Sequence, residues 1–136
     1  MGFGIPLMIG AKLAQPNKFC VNVMGDGAFG MSGTDIETAA RSQIPITTIL
    51  LNNSAMATYT GNNRGAIGED ARTIYGISNM YGDYTKIAEG MGATGIKVTL
   101  TKDIAPALKK AQKLNEDGIT VLIEVMTNIE ERRSKF

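Results

Sequence analysis

One stretch, residues 19–53, constrains the fold of this chain more than any other. It opens with an apolar run at residues 19–24 and passes through a glycine-rich turn at residues 25–30. A helical pattern follows, and a second apolar run leads to the pair Asn52-Asn53. This order predicts a strand, a turn, a helix and a second, parallel strand. Ligands of open α/β sheets bind at the carboxyl ends of the strands. The glycine turn and the asparagine pair are therefore expected to share a ligand site.

The glycine turn has two interpretations. Gly25, Gly27 and Gly30 match the spacing of the dinucleotide-binding fingerprint. That interpretation expects an acid at the end of the second strand to hold a ribose hydroxyl, where this chain has the asparagine pair. It also places the Asp26 carboxylate in the loop that would hold a pyrophosphate. Two unit charges of like sign ~4 Å apart repel by about 1 kcal/mol in water, and by more in a drier site.

A divalent cation between the carboxylate and the diphosphate would turn this repulsion into attraction. Magnesium takes oxygen ligands, usually one or two carboxylates together with phosphate oxygens and water. The Asp26 carboxylate and the Asn53 amide oxygen suit that role. The residues therefore predict a diphosphate held through Mg²⁺, with metal-independent dinucleotide binding as the alternative.

The same residues carry a resemblance to a known family. Gly25-Asp26-Gly27, followed by 24 residues and then Asn52-Asn53, resembles the thiamine diphosphate motif. Residues 1–18 resemble the segment just upstream of that motif in the acetolactate synthase-like branch. The resemblance implies one domain over residues 1–136, the C-terminal pyrophosphate-binding domain of such an enzyme, lacking its N-terminal strand. It implies an α/β fold, an open parallel sheet with helices on both faces.

The resemblance also implies roles for particular residues. The Asp26 and Asn53 side chains and the Ala55 backbone carbonyl would bind the metal. The backbone N–H groups of Gly27 and Ala28 would face the diphosphate, as at other helix starts that follow glycine loops. Met1 aligns with the apolar residue that lies under the thiazolium ring. The implied cofactor-binding residues are Met1, Gly25, Asp26, Gly27, Ala28, Asn53 and Ala55.

The composition excludes several kinds of site. The chain has 136 residues, a net charge of +1, one cysteine and no histidine. Serine–histidine and cysteine–histidine catalysis, histidine-ligated zinc and an internal disulfide are thereby excluded for this chain alone. Cys20 lies in an apolar run and is expected to be a core residue. No apolar run approaches the ~20 residues of a membrane span, and the N-terminus lacks a basic start, so a cytoplasmic location is expected.

The remaining pattern predicts further helices and strands. We expect the first helix, apolar over most of its circumference, to be buried. Asp83 is expected to cap a helix, and the acids of the chain are expected to be a metal ligand, helix-start residues or surface groups. The predicted helices cover residues 2–15, 32 or 34 to 42, 83–91 and 101–115; the strands cover 96–100 and 119–126; and a long loop covers 54–80. In that loop Arg64 or Arg72 could pair with a substrate carboxylate or a phosphate, and Tyr59 stands where some related decarboxylases carry an acid.

In the family, a glutamate on a separate pyrimidine-binding domain activates the cofactor. This chain has no recognisable counterpart of that domain. We therefore expect half of an active site for 2-oxo acid decarboxylation or carboligation, inactive alone and completed in an oligomer. The alternative is a non-catalytic cofactor-binding or assembly module on the same fold.

Overall fold

The computed structural model describes residues 1–55 and 80–128. Within them, every strand and helix expected from the sequence is present. Tyr59, Arg64 and Arg72, and most of the predicted loop, lie outside the described residues. The strands are β1 (Val21–Gly25), β2 (Thr47–Asn52), β3 (Thr94–Val98) and β4 (Val121–Met126). The helices are α1 (Gly4–Ala14), α2 (Asp26–Ser32), α3 (Asp35–Arg41), α4 (Tyr84–Gly90) and α5 (Ile104–Glu116), with a 3₁₀ turn at Thr101–Asp103 before α5.

The four strands form a parallel sheet in the order β1-β2-β4-β3. Gly25 at the end of β1 pairs with Leu51, and Asn52 at the end of β2 pairs with Met126. This register brings the carboxyl ends of β1, β2 and β4 to one edge. Asp26 and Asn53, each the first residue after its strand, therefore lie at the same edge, as the sequence predicts.

Helices cover both faces of the sheet, which confirms the predicted fold class. On one face, Ile5 of α1, Phe29 of α2, Ile36 of α3 and Ala88 of α4 belong to one core cluster with Leu50 of β2. On the other face, α5 packs on β3 and β4 through an apolar stripe whose residues repeat at helical spacing. Because α5 covers one face of β4 and α4 the other, five of the six β4 residues are buried.

The prediction that α1 is a buried helix is wrong for the described part of the chain. Ile5 is its only buried residue, while Leu7 is 64% exposed and Leu13 is also exposed. The helix approaches β1 closely at Gly4, where an added Cβ would lie 2.8 Å from Asn22 Nδ2. At Gly10 an added Cβ would meet no atom within 4 Å. Apolar side chains surround most of α1, but the described residues pack against one side of the helix only.

The glycine turn is shorter than the sequence suggests. Gly25 is extended (φ −84°, ψ 164°), and α2 begins at Asp26 directly after it. Ser32 ends α2 and does not start the next helix. Thr34 does precede α3, but it has a helical backbone and its side chain makes no capping hydrogen bond. The Thr34 hydroxyl therefore does not cap α3, because α3 follows α2 too closely for an extended cap residue between them.

Asp83 caps α4, as predicted. Its Oδ1 accepts hydrogen bonds from Thr85 Oγ1 (2.8 Å) and from the Lys86 amide (3.3 Å). These bonds, with the Thr85 bond the largest cause, lower the pKa of Asp83 to about 2.

No helix in residues 1–55 or 80–128 is long and apolar enough to cross a membrane.

Candidate cofactor and metal site

Asp26 is a buried acid at the carboxyl edge of the sheet, at the first position of α2. It is 3% exposed, and its Oδ1 accepts a hydrogen bond from the Gly27 amide (2.8 Å). Its Oδ2 is buried and has no hydrogen-bond partner among the described residues. An unsatisfied buried polar group costs about 1–3 kcal/mol, and a charged one costs more. A cation at Oδ2 would remove this cost, so the arrangement fits a metal ligand.

Asn53 and Ala55 form a tight turn directly after β2. Asn53 Oδ1 accepts a hydrogen bond from the Ala55 amide at 3.0 Å, and Ser54 between them has a left-handed backbone (φ 56°). Asparagine favours such turns because its side chain bonds the backbone two residues later. The turn brings the Asn53 amide and the Ala55 backbone together. This proximity fits the predicted pair of oxygen ligands.

The start of α2 leaves room for a ligand. An added Cβ at Gly25 would meet no atom within 4 Å. The first amides of a helix have no acceptor one turn earlier. The Gly27 amide already donates to Asp26 in this structure, so Ala28 is the better placed of the two predicted diphosphate donors.

Glu124 in β4 is a polar group that the sequence analysis missed. It is 0% exposed, so the expectation that every acid is a metal ligand, a helix-start residue or a surface group is wrong. Its Oε1 accepts a hydrogen bond from Asn52 Nδ2 at 2.7 Å, and its Oε2 lies 3.5 Å from Lys97 Nζ. The signal was present in the sequence. Glu124 is the single acid in the mostly apolar run 119–126, and such a run is typical of a strand buried on both faces, so its side chain had to be buried too.

Tyr84 of α4 lies within the electrostatic influence of two buried carboxylates, Asp26 and Glu124. Its ring packs edge-to-face on Phe29, with centroids 5.3 Å apart at 80°. Burial raises the pKa of Tyr84, and the negative charges of Asp26 and Glu124 raise it further. The phenol therefore stays protonated at neutral pH.

Met1 is 70% exposed, beside α2. Its neighbour Gly2 (φ 86°) approaches Met31, whose Cβ would lie 3.3 Å from an added Cβ. The contact of Met1 with a thiazolium ring stays a prediction.

The donor set fits a metal that shares its shell with a phosphate ligand. In residues 1–55 and 80–128, no group of three or more His, Cys, Asp or Glu side chains comes together. Asp26, Asn53 and the Ala55 carbonyl supply oxygen atoms only, and too few of them for a complete octahedron. Magnesium bound with phosphate oxygens and water has this kind of shell.

One cavity in the described part of the chain lies away from this edge. It has a volume of about 750 Å³ and is lined by Phe19, Pro45 and Gly118, which precede β1, β2 and β4. It therefore opens at the amino ends of the strands. A smaller cavity of about 390 Å³, lined by Val98 and Thr127 among others, opens at the carboxyl ends of β3 and β4.

Residues 1–125 match the family described as "Thiamine pyrophosphate enzyme, C-terminal TPP binding domain". The chain belongs to this family. Thiamine pyrophosphate and thiamine diphosphate are the same cofactor, so the family expected from the glycine–asparagine motif is confirmed. The match favours the thiamine diphosphate interpretation of the glycine turn over the dinucleotide-binding interpretation.

The relatives are several times longer than this chain. Sulfoacetaldehyde acetyltransferase of Alcaligenes xylosoxydans xylosoxydans is 35% identical over 92% of this chain and 20% of the relative. Acetolactate synthase large subunit of Corynebacterium glutamicum is 28% identical over 89% of this chain and 20% of the relative. The solved structure of Rhodococcus jostii RHA1 thiamine diphosphate-dependent 4-hydroxybenzoylformate decarboxylase is similar with a TM-score of 0.77 and 30% identity, over 97% of this chain and 24% of that one. The chain thus spans about a fifth to a quarter of their lengths.

Proposed function

We propose that this domain holds thiamine diphosphate through Mg²⁺ bound by the Asp26 carboxylate, the Asn53 amide oxygen and the Ala55 carbonyl. Gly25 gives the diphosphate room and the Ala28 amide faces it, while the neighbouring Gly27 amide, which donates to Asp26 in this structure, holds that carboxylate in place. The observation that carries the proposal is the buried Asp26 Oδ2, which has no hydrogen-bond partner among the described residues. The match of residues 1–125 to a cofactor-binding domain supports the identity of the ligand.

We further propose that the domain serves an acetolactate synthase-like enzyme acting on a 2-oxo acid, by decarboxylation or carboligation. Bound thiamine diphosphate supplies a carbanion that adds to a carbonyl group, while the protein binds and orients it. Here Asp26 and Asn53 fix the diphosphate through the metal. The names of the relatives, an acetyltransferase, an acetolactate synthase and a decarboxylase, support this range of reactions.

We propose that the partner is a pyrimidine-binding domain and that the chain is inactive without it, the complete site forming in an oligomer. Large apolar side chains at the start of the chain and on α1 and α2 support a covering partner. Phe3, Leu7 and Met31 are all more than half exposed. Leu7 is one helical turn from Phe3, and Met31 approaches Gly2. Neighbouring exposed apolar side chains are typical of an interaction site.

A further strand beside β1 is part of the proposal. Val23 of β1 is 62% exposed and Leu51 of β2 is 42% exposed. Both lie on the face of the sheet that α5 covers over β3 and β4. An N-terminal strand with its connection would cover them and would convert β1 from an edge strand into an internal one.

Thermal unfolding with thiamine diphosphate, with and without Mg²⁺, tests the cofactor proposal. Ligand at 100 times its Kd stabilises by about 2.7 kcal/mol, which raises Tm by several degrees. The shift should need both components and should vanish in Asp26→Ala. Asp35→Ala, which removes an acid from the first turn of α3, is the control and should keep it. An equal shift without Mg²⁺, or in Asp26→Ala, would contradict the proposal.

The alternative, a non-catalytic cofactor-binding or assembly module, has the same site and differs in turnover. Adding a purified pyrimidine-binding domain and a 2-oxo acid, and measuring carbon dioxide release, separates the two. Release that disappears in Asp26→Ala supports the enzyme, and cofactor binding without release supports the module.

A further inference from the structure

The buried Glu124 is not used by the proposed cofactor site, yet it is joined to that site by a chain of hydrogen bonds. It lies in the middle of β4 and is 0% exposed. Burying a carboxylate is costly unless partners compensate its charge. The described partners are Asn52 Nδ2, at 2.7 Å from Oε1, and the half-exposed Lys97, whose Nζ is 3.5 Å from Oε2.

The Asn52 side chain connects Glu124 to the turn after β2. Its Nδ2 donates to Glu124, and its Oδ1 accepts from the Ser54 amide (2.9 Å) and the Ser54 hydroxyl (3.3 Å). A carboxylate only accepts hydrogen bonds. The amide group of Asn52 must therefore direct its NH₂ group toward Glu124, which leaves the carbonyl oxygen for Ser54.

Ser54 needs such support because its backbone is left-handed (φ 56°). A non-glycine residue in this region carries a conformational cost and persists where its surroundings hold it. In this conformation the Ala55 amide reaches Asn53 Oδ1 at 3.0 Å. The geometry of the Asn53–Ala55 turn thus depends on Asn52, and the orientation of Asn52 depends on Glu124.

We propose that Glu124 is a positioning residue for the metal site: through Asn52 it holds the turn that presents the Asn53 side chain and the Ala55 carbonyl. This inference rests on the proposed function, since it assumes that Asn53 and Ala55 bind the metal. The link to Asn52 depends on Glu124 Oε1, which accepts the hydrogen bond from Asn52 Nδ2. An uncharged side chain that keeps this acceptor should therefore retain the site, and an apolar one should not.

Two variants of Glu124 in the full chain test this link. Glu124→Met has a similar volume and no strong acceptor, whereas Glu124→Gln keeps an acceptor oxygen. Glu124→Met should accelerate hydrogen exchange at the Ser54 and Ala55 amides and raise the Kd for thiamine diphosphate in the presence of Mg²⁺. Loss of a group that orients a metal ligand typically costs about 10–100-fold in affinity. Glu124→Gln should restore both quantities to near wild type, a rescue that general destabilisation of the core would not show.

Two control positions in the sheet and a second variant, Asn52→Ala, separate a local effect on the turn from a general loss of stability. Exchange at Ile49 and Ile123, which lie in the sheet on the α5 side, should be unchanged in both variants. If Glu124→Met fails to fold, Asn52→Ala removes the same link from the other side and should give the same loss. Unchanged exchange and Kd in the variant that folds would overturn the inference.

The failure of the inference can be distinguished from the failure of the proposed function. Faster exchange at Ser54 and Ala55 with an unchanged Kd overturns the positioning role, while Mg²⁺-dependent binding by the wild-type chain leaves the proposed function intact. A wild-type chain that binds thiamine diphosphate equally well with and without Mg²⁺ overturns both.

Discussion

At the scale of single residues, the site is defined by Asp26, a buried acid at the carboxyl edge of the sheet whose hydrogen bonding is incomplete. Asn22 Nδ2, Ser32 Oγ and Glu124 Oε2 also lack hydrogen-bond partners among the described residues, whereas other buried polar groups are fully paired. Asn115, for example, accepts from Thr47 Oγ1 and donates to the carbonyls of Ile46 and Ile119. Asp26 Oδ2 is buried at the sheet edge without such partners. A structural polar group is normally paired, and an unpaired one calls for an explanation such as an ion.

The capping role of Asp83 gives a prediction of pH dependence. The pKa of Asp83 is lowered from 3.8 to about 2. A lowered pKa in the folded state means that the carboxylate adds stability above pH 3.8, and that this contribution is lost as the pH falls toward 2. Asp83→Ala should therefore lower Tm at pH 7, and the difference from wild type should shrink between pH 4 and pH 2.

Asp103 provides a matched control for this measurement. It stands at the N-cap of α5, and its side chain makes no capping hydrogen bond. Asp103→Ala should therefore lower Tm at pH 7 by less than Asp83→Ala does. If the Tm difference of Asp83→Ala were the same at pH 2 and pH 7, the cap would not contribute through its charge.

At the scale of elements, α4 packs on β3 through a glycine. An added Cβ at Gly95 would lie 2.7 Å from Thr85 Cβ and 2.9 Å from the Thr85 carbonyl oxygen. The carbonyl belongs to the helix backbone and moves only with the helix. Gly95→Ala should therefore lower the free energy of unfolding by about 1–3 kcal/mol, as overpacking does. Urea denaturation measures this change.

Gly10→Ala is the control for Gly95→Ala. Gly10 lies inside α1, where an added Cβ meets no atom within 4 Å. Because glycine in a helix is about 1 kcal/mol less favourable than alanine, this substitution should raise the stability of the chain. Equal effects of the two substitutions would show that α4 does not pack tightly on β3.

The elements also show what the sequence can and cannot predict. The five-residue apolar face of α5 repeats at helical spacing, so both the helix and its buried side follow from the sequence. The seven-residue helix α2 was missed because Asp26 starts it inside an apparent glycine turn. The burial of α1 was misjudged because periodicity describes one element, whereas burial depends on what packs against it.

At the scale of the whole molecule, the parallel sheet creates the site. Asp26 and Asn53 are far apart in sequence, and the register of β1 with β2 brings them to one edge. The topology of the strand–turn–helix–strand unit was sufficient to predict this meeting. The link from Glu124 to Asn52 was not predicted, because it joins side chains on neighbouring strands that are distant in sequence. The motif gave no information on that pairing.

Binding of the cofactor through the metal is tested most directly by calorimetric titration of the chain with thiamine diphosphate over a series of Mg²⁺ concentrations. Because the cofactor is proposed to be held through the metal, its apparent Kd should fall as Mg²⁺ rises, with about one ion taken up per cofactor bound. Asp26→Asn, which keeps the shape and removes the charge, should abolish this dependence. A Kd that is independent of Mg²⁺ in the wild-type chain would contradict binding of the cofactor through the metal.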